Sequence, residues 1–137
     1  MKSYKFNDIK LGQTENFIKF VTSKDLDNFI KLSGDNSLIH SDKKFAKQMG
    51  FKSKVIHGAY ITSLFSRLIG TKLPGKNGLL LFIDLKFSKP LYENKKIKIV
   101  GKVINKNQIL KCIEVSLAAK VNKIIIAHGS CTTKLFK

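Results

Sequence analysis

One segment governs what this chain can become: VIHGAYITSLFSRLIG, Val55 to Gly70. Its apolar residues Tyr60, Ile61, Leu64, Phe65, Leu68 and Ile69 recur at helical spacing, and Arg67 is the only charge among them. A stripe that broad asks for a helix covered on most sides, with Gly70 as its stop. The remainder of the chain, beyond Gly70, is suited to cover it. In LLLFIDLKF, KIKIVGKVI, ILKCIEVSLAA and KIIIAHGSCTTKLF the pattern turns strand-like and rich in Ile, Val, Leu and Phe. Turns expected at Asn105 to Gln108 and at Val121-Asn122 separate three of these segments, which places the strands in meander order. One largely buried helix plus an antiparallel sheet long enough to curl round it is an α+β architecture.

With 137 residues, 43% of them hydrophobic, the chain suits one domain spanning residues 1–137. There is no internal repeat, low-complexity tract or linker, and Pro74 and Pro90 both fall where connections are expected. The first residues, MKSYKFNDIKLGQTE, hold no apolar run of signal-peptide length, and no segment reaches membrane-spanning length. The expectation is a cytoplasmic protein that does not enter a membrane. Cys112 and Cys131 lack metal-ligand spacing and sit in apolar strand-like sequence, so they read as buried free thiols, and no metal site is expected.

The formal charge of +17 invites a nucleic-acid reading. Two features argue against it. The lysines are scattered along the whole chain, and Arg67 is the only arginine, which leaves almost no donor for bidentate reading of guanine. A diffuse positive field fits a small phosphorylated ligand or an acidic partner protein at least as well.

Ahead of the central helix, Gln13 to Val21 has the character of a first strand. Thr22 and Ser23 then suit an N-cap, Asp25 and Asp27 suit a first turn, and Leu26, Phe29 and Ile30 form an apolar stripe that Gly34 ends. The stretch SGDNSLIHSD, Ser33 to Asp42, comes next as an irregular turn beginning at Asp35. Asp35 and His40 lie five positions apart, so on one continuous helix they would be separated by roughly 140°. If they cooperate, they do so from a loop. A short helix over Asp42 to Met49 is expected next, capped by Ser41 and stopped by Gly50.

Three landmarks in this order resemble the MaoC-like hydratases and dehydratases, including the R-specific 2-enoyl-CoA hydratases. SGDNSLIHSD is similar to that family's G-D-x-N-P-h-H-x-D, VIHGAYITSLFSRLIG to its h-h-H-G-M segment, and DLKFSKPLYENKKIKI to its F-x-x-P-h-x-x-G-D-x-h. They span Ser33 to Ile99, with weaker similarity over nearly the whole chain. The resemblance implies the hot-dog fold, an antiparallel β-sheet wrapped around a long central helix. Ser37-Leu38 stand where the family has Asn-Pro, which removes a rigid turn residue and an amide. Asn94-Lys95 stand in place of Gly-Asp, and Asn accepts a positive φ, so that turn is expected to survive. Ala59 replaces the methionine of H-G-M.

The resemblance implies hydro-lyase chemistry on acyl thioesters: (R)-specific 2-enoyl-CoA hydration, or dehydration of a (3R)-hydroxyacyl thioester. Such a reaction needs a carboxylate and an imidazole around one water, and Asp35 and His40 fit those acid–base roles. The start of the central helix offers free backbone N–H groups, and by resemblance the Gly58 N–H takes the thioester oxygen. Ser66 matches a serine that lines the acyl pocket in relatives. His57 falls at the substrate site and is read as positioning the loop rather than moving protons. His128 is read as packing or surface, and Asp84 as facing solvent. Lys52 or Lys54 at a pocket mouth would meet the phosphates of coenzyme A or an acidic acyl carrier protein, the two carriers through which the substrate is presented. No cofactor is implied. A homodimer is implied, because the family builds its pocket across a subunit interface. Two rivals stand beside this reading: an acyl thioesterase of the same fold, and a non-catalytic basic binding module.

Overall fold

The computed structural model describes residues 1–136; Lys137, the last residue of the span read as one domain, lies outside the described residues. Strand β1 (Thr14–Val21) leads into helix α1 (Ser23–Ser33). The helix begins where the sequence asks it to. Thr22 Oγ1 accepts from the Asp25 N–H at 3.1 Å, and Asp25 Oδ2 accepts from the Thr22 N–H at 2.8 Å, a reciprocal capping box. At its other end Gly34 adopts φ 75° and donates its N–H to the Ile30 carbonyl, the left-handed cap that glycine takes at least cost.

Between α1 and the central helix lie α2 (Leu38–Ser41) and α3 (Lys43–Gln48). Two expectations are corrected here. The stretch after Asp35 is irregular only as far as Ser37, and His40 sits on the single turn of α2, which carries none of the signals that mark a longer helix. The cap of α3 is Asp42, whose side chain accepts from the Phe45 N–H at 3.0 Å, and not Ser41. Ser41 turns its hydroxyl back to the Asn36 and Ser37 carbonyls instead.

The central helix α4 (Gly58–Thr71) buries all six residues of the apolar stripe. It runs through Gly70 and stops ahead of Leu73-Pro74, where the Lys72 and Leu73 N–H groups both return to the Leu68 carbonyl. Burying a side chain such as Phe65, which is fully enclosed, contributes about 1.5–3 kcal/mol. Four strands come after it: β2 (Gly78–Phe87), β3 (Lys95–Asn107), β4 (Cys112–Val121) and β5 (Ile124–Leu135). With β1 they form one antiparallel sheet in the order β1-β3-β4-β5-β2. This is the hot-dog fold: the inward residues of β3 and β4, among them Ile97, Ile99, Val115 and Leu117, close on α4. Gly101 permits a close approach, since a Cβ there would stand 2.6 Å from Leu68 Cδ2.

The meander expectation holds for β3-β4-β5 only. β1 occupies the free edge of β3, from Thr14 opposite Lys102 to Val21 opposite Lys95, so β2 pairs with β5 at the far end of the sheet. The first hairpin also turns later than expected, because β3 continues through Asn107 and the chain reverses over residues 108–111, with Lys111 at φ 53°. The second reverses at Asn122-Lys123, both at positive φ, as a two-residue hairpin turn requires. Asn94 takes φ 61°, as its place in the sequence suggested. Cys112 and Cys131 are free and buried, and burial pushes the Cys131 thiol up to about 11. Among the described residues no helix is long and apolar enough to cross a membrane.

Candidate active site

The segment that crosses from α1 to α4 brings Asp35, His40 and His57 together. His40 is fixed first. Its Nδ1 lies 2.6 Å from the Val55 carbonyl oxygen; a carbonyl only accepts, so Nδ1 carries the hydrogen and the neutral ring keeps its lone pair on Nε2. That Nε2 faces Asp35 Oδ2 at 3.9 Å. The gap is too long for a direct hydrogen bond and suits one shared water.

His57 is oriented by the same logic. Its Nε2 lies 2.9 Å from the Asp35 backbone carbonyl and must donate to it. Its ring stacks on His40 with centroids 3.7 Å apart, and the Phe29 ring meets it at a tilt with centroids 4.9 Å apart. Its remaining nitrogen, Nδ1, is buried without a partner. At 2% exposure His57 lies behind His40, outside the cavity that His40 lines.

Asp35 itself is exposed, and its carboxylate is anchored by its own turn. Oδ1 accepts from both the hydroxyl and the N–H of Ser37. Those two bonds hold the Asp35 carboxyl below its ordinary range, with smaller help from the two nearby imidazoles. Ser37 therefore supplies a hydroxyl donor to the carboxylate at the position where the resembling motif has asparagine.

Beside His40 opens a cavity of about 360 Å³ lined by Val55, Gly58, Ile61, Phe87 and Leu91. Gly58 is the first residue of α4, so its N–H and that of Ala59 have no carbonyl within the helix and lie at the positive end of its dipole. The Phe87 ring packs so closely that a Cβ on residue 58 would stand 3.1–3.3 Å from three of its carbons. A donor and an imidazole thus line one apolar recess, with the Asp35 carboxylate 3.9 Å from that imidazole.

Asp35, His40 and His57 have ligand-type atoms within 4.8 Å of one another. In the tautomer that donates to the Asp35 carbonyl, His57 Nε2 has no lone pair to offer an ion.

Other residues singled out in the sequence lie elsewhere. Ser66 is exposed on α4 two turns beyond Gly58 and does not line this cavity. Lys54 is no free phosphate ligand: it bridges Asp27 at 4.0 Å and Glu93 at 3.9 Å, tying α1 to the start of the sheet. Lys52 is exposed, as are His128 on β5 and Asp84 on β2. The sequence reading missed the parts played by Ser37, the Val55 carbonyl and Phe87. Of these only Ser37 left a legible signal, a hydroxyl two residues after an aspartate in a turn.

Residues 10–124 match the MaoC like domain. The chain belongs to the MaoC-like family. One relative of this MaoC-like chain is a 3-hydroxybutyryl-CoA dehydratase of Methylorubrum extorquens, 34% identical over 86 residues that cover 63% of the chain. The match covers only 55% of that relative, so the chain spans little more than half its length. A mitochondrial 3-hydroxyacyl-[acyl-carrier-protein] dehydratase of Arabidopsis thaliana is 24% identical over 93% of the chain and 78% of its own length. Among solved structures, an (R)-hydratase from A. caviae involved in PHA biosynthesis superposes with a TM-score of 0.88 and 25% identity, covering 93% of this chain and 97% of that one.

Proposed function

We propose that this MaoC-like chain is a hydro-lyase of acyl thioesters, an (R)-specific 2-enoyl hydratase that also runs as a (3R)-hydroxyacyl dehydratase. One observation carries the reading. The lone-pair nitrogen of His40 faces the Asp35 carboxylate across 3.9 Å, beside a recess that begins at the unpaired N–H of a helix start. A water about 2.8 Å from both atoms would make an angle of roughly 90° between them, close to what its hydrogen-bonding directions favour.

In hydration, His40 Nε2 takes a proton from that water while the water oxygen bonds to Cβ of the enoyl group. The double-bond electrons move toward Cα and the thioester oxygen, where the Gly58 N–H meets the developing charge. The Cα then takes the proton back from His40 Nε2, which regenerates the neutral imidazole. Asp35 orients the water and balances the transient imidazolium. It is the poorer base of the two, because Ser37 holds its carboxyl low. His57 serves as a positioning residue: its N–H holds the Asp35 backbone and its ring backs His40. Dehydration runs the same steps in reverse. No cofactor enters the scheme, and the substrate comes on coenzyme A or an acyl carrier protein.

The reading includes a cytoplasmic homodimer. Strand β2 is an open edge of ten residues with Leu79, Leu81, Phe82 and Phe87 about half exposed, an arrangement that calls for a pairing partner. Ser66 would meet substrate only from a recess shared with that second copy.

The decisive assay tracks the absorbance of a short enoyl-CoA while free thiol is measured in parallel. Loss of the double bond without thiol supports the hydro-lyase, thiol release moves the protein to the thioesterases, and loss of neither leaves a binding module. Asp35→Asn and His40→Ala should each lower kcat by about 10²–10⁴-fold with an unchanged circular dichroism spectrum.

A further inference from the structure

The outer face of the sheet carries a basic groove that the hydro-lyase chemistry does not use. Along β3 the buried residues Ile97, Ile99 and Gly101 alternate with outward Lys96, Lys98 and Val100. The register sets Lys98 directly opposite Lys120 of β4, and sets Ile18 and Phe20 of β1 opposite Lys98 and Lys96. Like charges facing one another across a ladder destabilise a sheet. Among the described residues no ion pair relieves them, since none includes Lys96, Lys98, Lys120 or Lys123. These four lysines line a groove of about 440 Å³ together with Ile18, Val100 and Asn122.

We propose that this groove docks an acidic protein that carries the acyl thioester on a flexible arm; the inference rests on the hydro-lyase reading. Two observations favour a protein over other anions. The first is the mixture of charge and exposed carbon: Ile18 is 63% exposed and Phe20 47%, so the surface complements an amphipathic acidic helix better than a bare phosphate chain. Arginine, the usual donor for nucleic-acid phosphates and bases, is represented only by Arg67, whose guanidinium lies 4.3 Å over the Phe17 ring.

The second is continuity with the active-site recess. Lys123 ends the groove at the turn before β5, and three residues later the Ile126 carbonyl accepts from the N–H groups of Ser88 and Lys89 at 2.9 and 3.3 Å. Ser88 and Lys89 line the cavity beside His40. Three residues of strand span about 10 Å, so a protein seated on the lysines has its arm beside the mouth of the recess.

The test uses the double charge reversal Lys98→Glu with Lys120→Glu, both surface positions, with thermal unfolding recorded to show that the variant folds. The same short 2-enoyl group is presented on a bacterial acyl carrier protein and on pantetheine alone. The expected result is a fall of roughly tenfold or more in kcat/KM for the carrier-bound substrate, through KM, with pantetheine turnover unchanged. The wild-type carrier KM should also rise with salt. Equal kcat/KM for variant and wild type on the carrier, or an equal fall on both substrates, overturns the proposal. If neither thioester is turned over, the hydro-lyase reading fails by itself, and fluorescence anisotropy of labelled acyl carrier protein still decides the docking. Binding by wild type that the reversal abolishes sustains it; no binding, or tighter binding of single-stranded DNA to the same lysines, overturns it.

Discussion

The sheet and the segment that crosses its mouth are held together by different physics. Strands β3 and β4 press Ile99, Val115, Leu117 and Ala119 against Phe65 and Leu68 of α4, with each of these side chains nearly or wholly out of water. From α1 to the start of α4, by contrast, only Leu26, Ala46 and Ile56 are buried apolar residues. That stretch is fastened by individual polar contacts: the Thr22 box, the His57 bond to the Asp35 carbonyl, the His40 bond to the Val55 carbonyl and the Lys54 bridges. Packing tolerates small shifts of position, whereas a hydrogen bond specifies an atom and a direction. The sheet therefore supplies stability, and the crossing segment supplies geometry.

The sharpest way to break that contrast is to damage each region and ask which property falls. Phe65→Ala, which empties the space over the sheet, should cost about 3–5 kcal/mol, read as a lower urea midpoint. Whatever fraction stays folded should retain its kcat. His57→Phe should do the opposite. The ring keeps the stack with His40 and removes the orphaned Nδ1, so stability should change by less than about 1.5 kcal/mol. Loss of the bond to the Asp35 backbone should lower kcat by about 10–100-fold, with KM moving little. Equal effects of the two substitutions on stability would erase the distinction between the regions.

Two smaller effects sharpen it. Thr22→Ala should cost about 1 kcal/mol through the lost cap, measurable by thermal unfolding, and should disturb activity only so far as α1 shifts Gly34 and Asp35. Ser37→Ala should leave the midpoint of unfolding nearly unchanged and alter the pH profile instead. In the native protein Ser37 lowers the Asp35 carboxyl below its ordinary value. Its contribution is thus fully present above that ordinary value and disappears as pH falls through the depressed one. Removing the hydroxyl raises the Asp35 carboxyl toward its free value, so the acid limb of kcat/KM should move to higher pH. A limb that stays put or moves to lower pH would show that Asp35 does not govern it.

The same contrast explains what could be read before any coordinates. Period and punctuation were legible: the stripe from Tyr60 to Ile69, the Thr22 cap, the Gly34 stop and the four strand segments all leave local traces. The pairing of β2 with β5 was not, because strand order depends on which edges remain free once β1 has joined β3, a property of no single segment. At the site, Asp35, His40 and Gly58 were nameable from motif spacing; in the structure His40 and Gly58 line one recess, and Asp35 stands 3.9 Å from the His40 ring. The helical turn under His40 was invisible, since four residues are too few to show a period. The partners that orient both histidines are backbone carbonyls, and every residue has one, so sequence gives no sign of which is used. Lys54 looked available to an anion because the distant Asp27 and Glu93 that engage it come near only in three dimensions.

The way His57 is shut in has one more consequence. With one nitrogen given to a carbonyl and the other buried without a partner, it cannot relay hydrogen to bulk solvent from behind His40. A deuteron drawn from heavy water in the hydration step would have no exit through His57, and would leave His40 Nε2 only on the side that faces substrate, water and the exposed Asp35. Isotope placed in the water should therefore be found on Cα of the product in the same turnover, and washout from the face away from substrate should be slow.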